Sequence, residues 1–482
     1  MGQRRAARTP TDGREALPPA GPPAAAAGAM GPAGAGAGAG SGTAKRVVLG
    51  MDLTGLETPE LVAIAVIYFV QGILGLSRIA LSFFLKDELK LGPAEVSFLM
   101  SANFIPWMIK PVYGFLSDAV PLFGYKRRSY LALSGLTGAL AWGALGTLGV
   151  DTASGVFALL VLGAVGTACS DVVIDSIVVE RTRGASQDTA GSLQSLCWLS
   201  AAVGGIASAY FSGSLVETYG AQGVFLITGA FPLVTMVTAF MIAEERTGPG
   251  RRDGAALATQ LRAQTANLWD AVKMPAILWP SVFIFCWNGT PAPSSAMFFF
   301  QTNELGFTPE FLGRVSLVAA VAKLGGVGIF NFFLKDKPLE QVFKWGALSA
   351  TGLGLTQMLL VTGMNRQLGI NDELFVLGDS AILEAISQVC WMPVLVFAAQ
   401  VCPEGVEATL FATLMSILNS GGFVGTQVGA LLTDQLGVTS DNFTHLPLLV
   451  LICTLSTPLP LLLLPQVRKY SGKAGAAAAK GE

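Results

Sequence analysis

Gly114-Phe115-Leu116-Ser117-Asp118, followed after a short loop by Lys126-Arg127-Arg128, decides how this chain folds. The first segment ends an apolar run over 93–117, and the second opens another over 128–149. An acid closing one helix and a basic cluster opening the next make a tight loop at a membrane surface. Those charges can pair with each other and with neighbouring helix ends. Two readings follow: a latch that holds one state and releases when the protein rocks, or a static anchor. Gly114, Asp118, Lys126, Arg127 and Arg128 are the candidate gating residues.

The whole chain fits that setting. It has 482 residues, 52% of them hydrophobic and 13% charged, with a net charge of -2. Soluble domains carry about 25% charged residues. Mean hydropathy is +0.58. These values exclude a soluble enzyme, a nucleic-acid binder and a disordered protein, and leave a polytopic membrane protein. Apolar runs long enough to cross a bilayer recur twelve times. They lie at 59–85, 93–117, 128–149, 154–180, 188–214, 221–243, 275–300, 309–334, 338–363, 373–401, 405–435 and 444–466.

A polar stretch at 244–274 divides the runs six and six. The halves correspond at a shift of about 217 residues: Gln71-Gly72 falls on Asn288-Gly289, Gly220 on Gly437, and Lys126 on Lys344 one residue further. A steady offset implies a duplicated unit. The expected fold is an all-α membrane protein of twelve transmembrane helices in two pseudo-symmetric six-helix bundles, the major facilitator fold. Its expected parts are 1–57, a disordered Ala/Gly/Pro-rich segment; 58–243, the first bundle; 244–274, a linker; 275–466, the second bundle; and 467–482, a polar tail. The first segment reads either as a transit peptide or as a plain tail. Thirteen basic residues fall in loops on the terminal side, against Lys86, Lys90 and Arg366 opposite. Both termini are thus expected on the cytosolic or stromal side, in a plastid envelope or a plasma membrane.

Charges inside the runs carry the functional reading, because an ion at membrane depth usually faces the bundle interior. Arg78, Lys110, Asp171, Asp175, Lys323 and Glu384 lie there. Asp171 and Asp175 are four apart and share a helix face. Two carboxylates so close do not both ionise easily, which suits proton coupling. The alternative is a pair of structural ion pairs to Lys110 or Arg78. Arg78, Lys110 and Lys323 can hold an anionic substrate. Gln71, Asn288 and Gln388 add polar groups at matching positions, and Trp107 a flat apolar face. Two proline-bearing stretches, 106–111 and 288–293, should interrupt their helices, as site wall and hinge or as packing kinks. The six cysteines show no metal or disulfide spacing, and the lone His445 anchors no catalytic constellation. No cofactor and no enzymatic activity are expected.

Several stretches together resemble a known family. They are Tyr68-Phe69-Val70-Gln71-Gly72 through Asp87, Pro106-Trp107-Met108-Ile109-Lys110-Pro111 through Asp118, Pro121 through Arg128, and Ser170-Asp171-Val172-Val173-Ile174-Asp175. Over roughly 58–466 they look like the folate-biopterin transporter family of the major facilitator superfamily. That resemblance implies a monomeric secondary carrier for folates or pterins, possible proton coupling, and alternating access in a lipid bilayer. On that reading Lys110, Arg78 and Lys323 meet the carboxylates of a folate tail, and Asp171 or Asp175 the pterin edge. A carrier of another small metabolite, or a non-transporting receptor or scaffold, are the alternatives.

Overall fold

The computed structural model describes residues 58–182, 187–246, 272–401 and 407–469, with further positions at 47–48, 51–52, 259 and 262. Most of the N-terminal segment, most of the 244–274 linker, Cys402 and the tail beyond Lys469 lie outside the described residues. Apart from a two-residue antiparallel pairing of Val47–Val48 with Met51–Asp52, the regular structure described is helical.

Each of the twelve apolar runs carries one rod. α1 is Thr58–Glu88. α2 comes in pieces: Pro93–Met100, Phe104–Trp107 and Lys110–Ala119. α3 is Arg128–Thr147 and α4 Ala153–Thr182. Gln187–Thr238 is parted at Gly220, whose φ of 67° suits only glycine without strain, into α5 and α6. α7 is Pro275–Asn288 with Ser294–Phe299, and α8 is Pro309–Leu334. α9 is Leu339–Gly354 with Gln357–Val361. α10 is Asp372–Val401, α11 Glu407–Gln435, and α12 Leu446–Ser456 with Leu459–Leu463. Six described helical stretches are long and apolar enough to span a bilayer, and one of these, Gly191–Met241, holds α5 and α6 together. The other rods are broken by proline or glycine, or carry more polar side chains.

Proline chemistry sets the two breaks. Pro111 has no N–H to give to the Trp107 carbonyl, so α2 opens at Met108-Ile109 and restarts at Lys110. Pro291 and Pro293 do the same to α7 after Asn288. The Thr290 hydroxyl donates to the orphaned Trp287 carbonyl at 3.4 Å, and Asn288 Nδ2 donates to the Leu418 carbonyl at 2.9 Å. The freed Trp287 carbonyl is thus satisfied by protein, as membrane depth demands, and the Asn288 amide ties the break to α11.

The two ends of the molecule differ. The near side carries Thr58, the 118–128 loop and Glu244; the far side carries Glu88, Glu304 and Asp372. Toward the far side one apolar cluster draws on both halves, from Ile73, Phe84 and Leu99 to Ala296, Phe299 and Phe307. Phe83 stacks edge-on against Phe298 across the halves, with centroids 5.2 Å apart. Toward the near side the clusters separate. One belongs to the first half alone (Ile64, Leu131, Ile177), the other to the second alone (Phe283, Phe343, Val394). The halves are therefore welded on the far side, and among the described residues no buried apolar cluster spans both halves on the near side. The far-side weld uses glycine. A Cβ on Gly213 of α5 would stand 2.3 Å from the Pro309 carbonyl of α8, so only hydrogen permits that approach.

Candidate functional site

The break in α2 makes the centre of the site. Because the helix restarts at Lys110, its side chain leaves the first turn toward α4. Lys110 Nζ lies 2.6 Å from Asp171 Oδ2, each side chain 15% exposed. The same ammonium sits 4.7 Å from the centre of the Trp107 ring, a cation–π contact. One turn along α4, Asp175 stands exposed and accepts a hydrogen bond from the Tyr68 hydroxyl of α1. Asp171 and Asp175 thus share a helix face, and each has its own partner. Lys110 is the cation that pairs with Asp171; Arg78 is not.

Tyr68 was not among the residues singled out from the sequence, although its signal was present. Positions 68, 71, 75, 78 and 82 recur at spacings of three and four, so they form one stripe of α1 that already contained Gln71 and Arg78. Arg78 on this stripe is exposed and pairs with no acid among the described residues. Gln71 Nε2 is buried without a partner. It borders a cavity of about 20 Å³ lined also by Ser134, Thr167, Ser170 and Thr235. That is room for a single water.

In the second half the residues are less tightly assembled. Lys323 of α8 is exposed, and its direction can be read from its neighbours. Gly326 packs against Ala385 of α10 and Gly313 against Gly213 of α5. At about 100° per residue, Lys323 falls on the arc between those two contacts, toward the bundle interior. Glu384 of α10 is half-buried and unpaired among the described residues. Gln388 is buried at 8% exposure beside Gly326, with Nε2 3.5 Å from Met392 Sδ. No ion pair joins Arg78, Lys323 or Glu384 to the Lys110–Asp171 pair.

The loop network lies entirely within the first half. Arg127 Nη2 meets Asp118 at 2.5 Å and Glu180 at 2.6 Å, while Nη1 donates to Ser117 Oγ at 2.8 Å. Glu244, six residues past the end of α6, accepts the backbone N–H groups of Lys126, Arg127 and Arg128. Arg128 stacks on Tyr125 and Phe240, at 4.3 and 5.4 Å from the ring centres. Gly114 faces Val172 of α4. Nearby, Arg181 grips the buried Glu60 at 2.7 Å. Glu180, Glu244 and Glu60 were missed in the sequence because charges at helix ends read there only as topology signals. In this conformation the loop ties α2, α3, α4 and the segment after α6 into one body, and among the described residues it makes no ion pair or hydrogen bond to the second half.

Two six-helix halves, welded at one end and enclosing membrane-depth charges, define a polytopic membrane carrier of the major facilitator fold. Solved structures agree on that fold. The nucleoside transporter NupG aligns with TM-score 0.65 over 85% of this chain and 99% of its own, at 12% identity. A D-xylose-proton symporter aligns at 0.63 over 86% and 99%, at 14% identity.

The chain belongs to the BT1 family, whose family model matches residues 71–475. A "Folate-biopterin transporter" of Synechocystis sp. is 50% identical over 402 residues, covering 83% of this chain and 80% of the relative. "Probable folate-biopterin transporter 4" of Arabidopsis thaliana is 30% identical, covering 83% and 94%. "Folate transporter 2" of Plasmodium falciparum is 29% identical, covering 80% and 84%. These relatives are named as transporters, not as enzymes.

Proposed function

We propose that this chain is a monomeric secondary carrier that moves folates or pterins across a membrane by alternating access, coupled to protons. The observation that carries this reading is the Lys110–Asp171 ion pair beside the Trp107 ring and the exposed Asp175. A folate offers carboxylates that compete with Asp171 for Lys110, and a flat ring that stacks on an aromatic face. A proton arriving on Asp171 or Asp175 offsets the negative charge left when the ammonium turns to substrate. Arg78 on the α1 stripe and Lys323 on α8 supply cations from two helices of opposite halves. The separation of the near-side clusters supports substrate exchange on that side in this state. The names of the relatives support the substrate class.

In this reading both termini face the cytosol or stroma, in a plastid envelope or plasma membrane, and the loop at 118–128 keeps the first half rigid as it rocks. A thermal-shift screen of purified protein against folates, free pterins, nucleosides and amino acids tests the substrate class. Stabilisation by folates and pterins, weakened in Lys110→Ala, is expected. Stabilisation by another class alone would redirect the assignment to that class.

A further inference from the structure

Gln71 stands on the polar stripe of α1, between Tyr68 and Arg78, yet the proposed transport site does not use it. Its Nε2 carries two N–H donors, is buried, and meets no acceptor among the described residues. A buried donor left unpaired is costly. The matching position of the second half has no such problem: Asn288, 217 residues on, gives its Nδ2 directly to the Leu418 carbonyl at 2.9 Å. Gln71 instead borders the cavity of about 20 Å³ between α1, α3, α4 and α6. The hydroxyls around it come from the three helices opposite α1. Thr167 Oγ1 gives its proton to the Gly163 carbonyl at 3.1 Å and keeps its lone pairs. Ser134 is engaged with Cys169. Ser170 and Thr235 are buried at 6% and 4% exposure, and their hydroxyls meet no partner among the described residues. The walls cannot close on this space, because α3 already meets α6 and α4 backbone to backbone. A Cβ on Gly135 would stand 2.5 Å from the Pro232 carbonyl, and one on Gly166 would stand 2.7 Å from the Ser134 carbonyl.

Size and chemistry select the occupant. Pockets for ring-bearing ligands measure about 300–1,000 Å³, so no substrate fits here. A donor turned inward disfavours a cation, and no carboxylate lines the space. One water suits both the volume and the groups: it accepts from Gln71 Nε2 and donates to the hydroxyl oxygens of Ser170 and Thr235. We infer that the first half holds an internal water at this point, bridging Gln71 of α1 to Ser170 of α4 and Thr235 of α6. The bridge extends by one turn the α1–α4 seam that Tyr68 and Asp175 begin, and it makes Gln71 a structural group of the first half, apart from the Lys110–Asp171 pair.

X-ray radiolysis makes hydroxyl radicals from water, so a buried side chain is oxidised where a bound water lies beside it. Radiolytic labelling of the purified full chain, read residue by residue by mass spectrometry, tests the site. Val70 and Pro232, both buried at the cavity, should be oxidised several times faster than Ile64 and Ile67, which are fully buried in an apolar cluster of the same half. Equal rates would overturn the inference. Gln71→Met removes the donor and should bring Val70 and Pro232 down to the rate of Ile64; rates unchanged from wild type would overturn the bridge. Should Gln71→Met fail to fold, Thr235→Val, which removes one acceptor, should lower the same two rates, and their persistence at the wild-type level would overturn the site as drawn.

Discussion

Lys86 Nζ of α1 donates to Asn303 Oδ1, in the turn that follows α7, at 2.9 Å, and the two residues are 217 apart, the offset that relates the halves. Repeat equivalents that touch each other lie on the pseudo-two-fold axis. Both sit in matching wide turns, Phe84–Glu88 and Phe300–Glu304. The far-side closure is thus made on the symmetry axis, with Phe83 and Phe298 packed beside it. Asn303 is fixed in turn by donating to the Ser440 carbonyl at 2.9 Å.

Removing this contact should loosen the far side. A hydrogen bond from a charged donor at a partly exposed position contributes about 1 kcal/mol, which is roughly a fivefold change in the open-to-closed ratio. Lys86→Ala and Asn303→Ala should each raise labelling of a far-side cysteine probe by about that factor. The double variant should add little, because both remove one interaction.

Lys110 and Asp171 should behave as a coupled pair. Removing one member strands a charge at membrane depth, at a cost of about 3–5 kcal/mol. Lys110→Met and Asp171→Asn are each expected to lower the melting temperature clearly, while the double variant recovers much of the loss. Uptake should be absent in all three. Equal, additive destabilisation would mean the pair is not coupled.

The near-side network depends on the shape of arginine. Arg127 serves Asp118, Glu180 and Ser117 at once, with donors aimed in three directions. Arg127→Lys keeps the charge and loses the fork. It should destabilise by about 1–3 kcal/mol, close to Arg127→Ala in a melting series. Full rescue by lysine would show that charge alone matters.

Coupling should reside in Asp175. Asp175→Asn is expected to leave substrate exchange between loaded vesicles intact while removing acceleration by an imposed proton gradient. Retained acceleration would assign the coupling proton elsewhere.

Much of this was legible in the sequence for a physical reason: lipid forces each crossing segment to be apolar and to satisfy its own backbone. The twelve runs, the breaks at Pro111 and Pro291 and the duplication could therefore be read directly. Lys110 and Asp171 were legible because charge at membrane depth is rare. Tyr68 was legible only as a place on the α1 stripe, because a tyrosine in an apolar helix looks like any aromatic until its hydroxyl finds Asp175. Whether the 118–128 loop bridges the halves was also beyond the sequence, since its partners, Glu180 and Glu244, are set by how α4 and α6 end.

The most direct measurement is uptake of labelled folate by vesicles containing the purified chain. Saturable uptake, competed by unlabelled pterin, driven by an imposed proton gradient and lost in Lys110→Ala, is the predicted result. Uptake no greater than in protein-free vesicles, under every gradient imposed, would contradict it.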